Sequence, residues 1–199
     1  KAGVTSSDTY QYPFGYIFGT SSYTGSYSAK QYYYGSSTSS TTYSTYYIPS
    51  RLKSVTITGG NILYGAFYNC SSLTSIEIPD TVTSIGNGFA YSKLVSIDLS
   101  NTKITSLDTS AFQACKNLTE LILPNTITSI GKQAFNDCTK IKSIDLSDMQ
   151  ITSIGESAFR GCSSLQSITL SNTLTIIVND VFKNCTSLQS IVIPEGVTT

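Results

Sequence analysis

Cysteine is the residue type with the most specific chemistry in this chain, and its spacing is regular. Each cysteine stands three residues before a leucine or isoleucine: Cys70, Cys115, Cys138, Cys162 and Cys185. Such a set could form disulfides or hold a metal. No Cys-x-x-Cys pair occurs and histidine is absent, which disfavours a zinc site. The number is also odd, so we interpret the set as a ladder of buried free thiols.

Carboxylates and hydroxyls supply the other candidate chemistry. Glu77 and Asp98 hold equivalent positions 21 residues apart, and their carboxylates could approach the ~5 Å separation of a retaining glycosidase pair. Nothing around them indicates a pocket that excludes water. The serines have no histidine to activate them as nucleophiles. We therefore expect no enzymatic activity, no cofactor and no metal.

The element that positions these residues is a repeat. An apolar anchor recurs every 21 to 24 residues, at Leu52, Leu73, Leu94, Leu118, Ile141, Leu165 and Leu188. In a clear copy, Leu121 and Leu123 follow the anchor at strand spacing, and Gly131 is expected to allow a tight turn into a short helical segment. A single copy cannot bury its own apolar residues, whereas stacked copies cover one another. The period therefore predicts a solenoid with an interior row of rings: Phe67, Phe112, Phe135, Phe159 and Phe182.

One copy departs from this pattern. The segment from Leu73 to Lys93 is two residues short, and either Tyr91 or Ser92 stands where cysteine is expected. The position of Phe89 relative to the predicted row is open for the same reason.

Strand alternation predicts which side chains face outward. Two positions after the anchor the series is Ser54, Ser75, Ser96, Glu120, Ser143, Ser167 and Ser190. Four positions after it the series is Thr56, Glu77, Asp98, Ile122, Asp145, Thr169 and Val192. Four acids thus fall on consecutive strands. They form either an anionic patch for a basic peptide or cation, or an ordinary solvated face.

Residues 1–50 differ from the repeats. They hold 11 of the 14 tyrosines and only three charges. We expect a partly ordered insertion that caps the N-terminal end, with Tyr16, Ile17 and Phe18 packed and the Ser/Thr stretches looped out. Tyr32, Tyr33 and Tyr34 could present rings to a protein or glycan. The alternative is that such rings only seal the exposed core of the first coil.

Composition limits the partners. The 199 residues carry 12 basic and 12 acidic side chains, so no basic patch indicates nucleic acid. No apolar run approaches the ~20 residues of a membrane span. The chain begins at Lys1 and its last residues stop within a repeat, so we expect a fragment of a longer protein, truncated at the C-terminus.

The repeats resemble the BspA-like leucine-rich repeats. The segments LTSIEIPDTVTSIG (73–86) and SIGKQAFNDC (129–138) follow that family's pattern, and the similarity covers about residues 52–199. It implies an extracellular or cell-surface protein, bacterial or protist, with adhesion or protein binding as its role.

These observations predict a leucine-rich-repeat solenoid over residues 51–199, with about six to seven coils. Each coil should place one parallel β-strand on the concave face and short helical turns on the convex face. The predicted function is non-catalytic binding of a protein or surface glycan. The alternatives are a structural spacer of a larger surface protein and carbohydrate binding through the insertion.

Overall fold

A computed structural model describes residues 14–34, 41–62 and 65–198. A 3₁₀ helix spans Phe14–Phe18, and strands β1 and β2 span Ser26–Tyr34 and Thr41–Pro49. The repeats begin at β3, and their strands alternate between two sets. The anchor strands are β3 (Ser54–Thr56), β4 (Ser75–Glu77), β5 (Ser96–Asp98), β7 (Glu120–Ile122), β9 (Ser143–Asp145), β11 (Ser167–Thr169) and β13 (Ser190–Ile191). The second strands are β6 (Ser106–Leu107), β8 (Ser129–Ile130), β10 (Ser153–Ile154) and β12 (Ile176–Ile177).

The repeats form a parallel β-solenoid of about six turns, as the period predicts. Each anchor strand lies in register with its equivalent one coil away, for example Ser54 with Ser75 and Ser167 with Ser143. The second strands form their own four-stranded parallel sheet in the order β12-β10-β8-β6. Four of the coils therefore contribute two strands, where the sequence predicts one.

Burial follows strand alternation. The middle residue of each anchor strand points inward, and Ile76, Ile97 and Ile144 are buried. Their neighbours on both sides are wholly or partly exposed. Because side chains alternate in direction along a strand, the middle residues of the anchor strands line the core. The residues on either side of them form two columns on the outer surface.

The phenylalanine row exists and is longer than predicted, because Phe89 belongs to it. Consecutive ring centroids from Phe67 to Phe182 lie 5.3–5.7 Å apart with interplanar angles of 4–10°. Phe89, Phe112, Phe135 and Phe159 are fully buried. The two-residue shortening near Phe89 is therefore absorbed elsewhere in the coil.

The expected helical turns are wrong. In the coil of Phe135, the N–H groups of Phe135 and Asp137 donate to Ala158 and Arg160 of the next coil, both at 2.8 Å. Gln133 and Asp137 also have positive φ values of 56° and 59°, which a right-handed helix excludes. In these segments the N–H groups alternate between bonds to the next coil and local bonds, such as that from Asn136 to the Gln133 carbonyl at 3.1 Å.

Gly131 has a different role from the one expected of it. Its φ is not positive, so conformational freedom does not explain the glycine. A Cβ there would lie 2.7 Å from the carbonyl oxygen of Leu107 on the preceding coil. Glycine is needed because two backbones approach closely at this corner.

An antiparallel hairpin of β1 and β2 precedes the first coil. Gln31 is buried and its Nε2 donates to the Tyr68 carbonyl at 3.1 Å. The ring of Phe14 lies 4.9 Å from that of Phe67, which extends the aromatic row by one residue. The hairpin side chains thus contact the first coil, while the boundary of the insertion at residue 50 stays a prediction.

Two expectations for this segment are wrong. Ile17 is 57% exposed, because Phe14 and Phe18 take the positions packed against the core. The Ser/Thr-rich run from 41 to 45 forms part of β2 and is not looped out. The side chains of Tyr16, Tyr32, Tyr33 and Tyr34 lie outside the described part of the structure.

Candidate binding face and inter-coil cleft

The outer side of the anchor strands is the face on which the sequence places its candidate acids; we call it the anchor face. Only four charged residues occur within these strands, and all are acidic and exposed: Glu77, Asp98, Glu120 and Asp145. None of them forms an ion pair among the described residues. The ion pairs that the structure contains, such as Lys132–Glu156 at 2.6 Å, involve residues outside the anchor strands.

The four acids do not form one continuous cluster. Glu77 lies opposite Thr56, whose hydroxyl donates to its Oε2 at 2.9 Å. Asp98 and Glu120 lie on the paired strands β5 and β7, but in different columns, so Asp98 faces Ile122. Asp145 lies in a third sheet, opposite Thr169. The register therefore spreads the negative charge along the face.

Two of the acids are held in short turns that keep them ionised. Asp98 Oδ1 accepts the Ser100 N–H at 2.8 Å, and Asp145 Oδ1 accepts the Ser147 N–H at 3.0 Å. Hydrogen bonds from the Ser100 side chain and backbone lower the pKa of Asp98, and those from the Ser147 backbone and side chain lower the pKa of Asp145. A glycosidase general acid needs the opposite shift, so Asp98 is unsuited to that role.

The ladder of anchor strands is interrupted at two places, and proline marks both. The pairing runs β3-β4, then β5-β7, then β9-β11-β13. Pro79 follows β4 and Pro124 follows β7, directly before the two interruptions. Where serine stands instead, at Ser100, Ser147 and Ser171, pairing to the next coil is intact.

The residue before each proline lacks a backbone bond that most of its equivalents form. The equivalent N–H groups of Ile57, Leu99 and Leu146 donate to the next coil at 2.9–3.0 Å. No such bond extends from Ile78 or Leu123 among the described residues. The proline ring disfavours the α conformation for the residue before it. Proline therefore accompanies both interruptions, but Leu170, which precedes Ser171, also lacks this bond among the described residues.

The second interruption opens a cleft between β7 and β9 of about 350 Å³. Its walls include Ile122, Asn125, Asp145, Asp148 and Met149. Ile122 is 52% exposed, in a column that otherwise carries mostly polar residues. The same two coils stay closed elsewhere: β8 pairs with β10, and the rings of Phe135 and Phe159 lie 5.3 Å apart.

Sequence reasoning missed this cleft, although two signals for it were available. Proline replaces serine after β7, and isoleucine interrupts the polar column at position 122. Neither signal has meaning until the pairing of neighbouring coils is known.

The five cysteines form a buried ladder of free thiols. From Cys115 onward, each Sγ donates to the carbonyl of the phenylalanine one coil earlier, at 3.1–3.2 Å. Ser92 is the residue in the missing cysteine position, and its Oγ lies 3.4 Å from Cys115 Sγ. Burial raises the pKa of Cys70 and Cys115 to about 12, so the thiols are protonated and unsuited to nucleophilic chemistry.

The thiol ladder predicts a loss of stability at alkaline pH. The thiols of the unfolded chain ionise near 9.0, whereas the folded chain holds Cys115 protonated to about 12. Above pH 9 the unfolded state therefore binds fewer protons, and the free energy of unfolding falls as the pH rises. We expect Cys115→Ser, which copies Ser92, to reduce this fall by on the order of 1 kcal/mol at pH 10.5.

Urea unfolding at pH 8 and pH 10.5 measures this effect. Wild type and variant carry the same tyrosines and lysines, so the difference between their pH dependences isolates one thiol. Equal pH dependence in the two proteins would show that Cys115 ionises as readily in the fold as in the unfolded chain.

The described residues hold no group of three metal-ligating side chains placed to bind a metal. They also contain no helix that is long and apolar enough to cross a membrane.

A family model for the BspA type leucine rich repeat region matches residues 16–88, 39–147 and 86–199, with six copies. The chain belongs to this family. BspA-type repeats suggest a protein-interaction or surface role, and leucine-rich-repeat solenoids are typically non-catalytic. A search of curated proteins finds no match.

Solved structures with the same fold are bacterial leucine-rich-repeat proteins. The T. pallidum leucine rich repeat protein TpLRR has a TM-score of 0.61 at 24% identity, over 75% of this chain and 73% of its own. A leucine-rich repeat protein from Bacteroides ovatus has a TM-score of 0.59 at 25% identity, over 84% of this chain and 52% of its own.

A leucine rich cell surface protein from Faecalibacterium prausnitzii has a TM-score of 0.51 at 29% identity, over 86% of this chain and 40% of its own. The BspA-type chain thus spans about half or less of the length of the Bacteroides and Faecalibacterium proteins.

Proposed function

We propose that this chain is a non-catalytic binding module of an extracellular or cell-surface protein, and that it holds a protein ligand on its anchor face in an adhesive role. The observation that carries the proposal is the charge of that face. Glu77, Asp98, Glu120 and Asp145 are the charged residues of the anchor strands, and no ion pair neutralises them among the described residues. A basic protein surface would supply the missing countercharge.

The geometry of the face supports protein binding over catalysis. The outer columns are short side chains on rigid backbone, so a ligand would order few flexible groups on binding. The face has no described metal site, and the pKa of Asp98 is shifted in the wrong direction for acid catalysis. Such a surface suits recognition of an extended or flat partner.

A binding panel of host matrix proteins and glycans tests the proposal. We expect a protein of the panel to bind, and the binding to weaken at high salt because exposed charges are screened. The combined substitutions Glu77→Gln, Asp98→Asn, Glu120→Gln and Asp145→Asn should weaken it at least tenfold. A matched variant removes four acids outside the anchor strands: Asp137→Asn, Glu156→Gln, Asp180→Asn and Glu195→Gln.

The other outcomes identify the alternatives. Equal weakening in both variants would show that net charge matters and the anchor face does not. Glycan binding that is lost on replacing Tyr32, Tyr33 and Tyr34 with alanine would favour the N-terminal segment as a carbohydrate site. An absence of binding to every panel member would leave a structural spacer.

A further inference from the structure

The cleft between β7 and β9 combines three features that occur together at no other described junction of the anchor strands. The pairing edges of two strands face each other without a ladder between them. An exposed apolar side chain, Ile122, lies at the cleft. Its only charged lining residues are Asp145 and Asp148.

We propose that this cleft binds one basic side chain, arginine or lysine, of an extended peptide segment in a partner protein. The proposal rests on the proposed protein-binding role of the anchor face and names the part of the partner that this face recognises. It adds Ile122 and Asp148 to the candidate binding residues and assigns a specific place to Asp145.

The lining matches such a side chain part by part. Arginine and lysine carry a charged end on an aliphatic stem, and the stem is stabilised by apolar contact while the end remains polar. Ile122 and the partly buried Leu121 offer the apolar contact, and Asp145 and Asp148 offer the negative charge. Asn125 and Ser147 add polar groups to the same lining. A neutral or acidic side chain would leave both carboxylates without a countercharge, because neither forms an ion pair among the described residues.

The strand edges explain why the segment should be extended. Where anchor strands pair, each edge is occupied by the neighbouring coil. At this junction the edges of β7 and β9 are not so occupied, and free strand edges favour pairing with another extended chain. The volume of about 350 Å³ is near the lower end for ligand pockets, which suits one long side chain.

The matched first interruption serves as an internal comparison. Between β4 and β5 one backbone bond survives, from the Val95 N–H to the Thr74 carbonyl at 2.9 Å. The equivalent bond from Lys142 to Thr119 is missing from the described contacts at the second interruption. The two interruptions therefore differ in this bond, and the cleft lies at the one that lacks it.

The experiment uses the whole chain, labelled with ¹⁵N, and an acetylated and amidated pentapeptide of sequence Ser-Val-Arg-Val-Ser. We expect a dissociation constant on the order of 1 mM. The amide shifts should concentrate at residues 121–125 and 143–149. The same peptide with citrulline in place of arginine keeps the shape, removes the charge and should bind at least tenfold more weakly.

Three variants locate the interaction. Asp145→Asn with Asp148→Asn should abolish the preference for arginine over citrulline, whereas Asp80→Asn with Glu195→Gln removes the same charge from exposed residues outside the anchor strands and should preserve it. Pro124→Ser copies the coils that pair normally and should close the cleft, so that the shifts vanish while both aspartates remain. Wild-type urea midpoints in all three variants confirm that each is folded.

Several results would overturn the inference: no shifts at 5-fold excess over the expected dissociation constant, equal affinity for the citrulline peptide, or retained binding in Pro124→Ser or the Asp145/Asp148 variant. These failures are separable from failure of the proposed function. If a panel protein loses binding in the four-acid variant but the peptide causes no shifts at the cleft, the anchor face remains the proposed binding surface. The cleft is then ruled out as its arginine or lysine site.

Discussion

Replacing Phe135 with alanine is expected to lower the free energy of unfolding by about 3–5 kcal/mol. The ring is fully buried and lies between Phe112 and Phe159, at centroid distances of 5.5 and 5.3 Å and interplanar angles of 5°. Its removal takes away buried apolar area and two ring contacts. Urea unfolding of the whole chain, followed by the shift in midpoint and slope, measures the loss.

The cavity left by Phe135 cannot collapse easily. The Phe112 N–H donates to the Ala134 carbonyl and the Phe135 N–H to the Ala158 carbonyl, both at 2.8 Å, so the spacing of the three coils is fixed by backbone bonds. The cost should therefore fall at the upper part of the range for such substitutions.

Phe182→Ala is the matched control. Phe182 is only partly buried and stacks on Phe159 alone among the described rings. We expect it to cost less than half as much as Phe135→Ala. Equal losses at the two positions would contradict the view that stacking on both sides sets the energy of the row.

Gly155→Ala is expected to lower the free energy of unfolding by about 1–3 kcal/mol. An added Cβ would lie 2.5 Å from the backbone nitrogen of Lys132 and 2.7 Å from the backbone carbon of Gly131. Both atoms belong to the main chain of the preceding coil, so no side-chain rotation can relieve the contact. The two coils would have to separate where β8 and β10 pair.

Gly59→Ala tests whether this loss comes from the close approach. Nothing lies within 4 Å of a Cβ built at Gly59, and its φ is not positive. We expect a change within about 0.5 kcal/mol in thermal or urea unfolding. A loss at Gly59 as large as that at Gly155 would contradict the view that the inter-coil contact sets the cost, because a glycine-to-alanine change that acts through the unfolded chain stabilises the fold.

The repeat period determined much of the fold without any coordinates. The spacing of Leu118, Leu121 and Phe135 predicts which side chains a stacked coil buries, because each coil presents the same apolar set to the next. The thiol ladder and the outward columns follow from the same period. The shortened coil from Leu73 to Lys93 follows the same arrangement, since Ser92 occupies the cysteine position and Phe89 lies in the phenylalanine row.

What the sequence could not determine is where the backbone hydrogen bonds go. The turns near Phe135 have helix-like side-chain spacing, but alternate N–H groups bond to the next coil, and the positive φ values of Gln133 and Asp137 are part of this arrangement. The two-residue strands such as β8 are too short to show a period. The cleft likewise depends on pairing across coils: Pro124 is a local residue, but the bond that Leu123 lacks is to a chain segment more than 20 residues away. Local pattern fixes which side chains are buried, and only the stacked structure decides which backbone groups find partners.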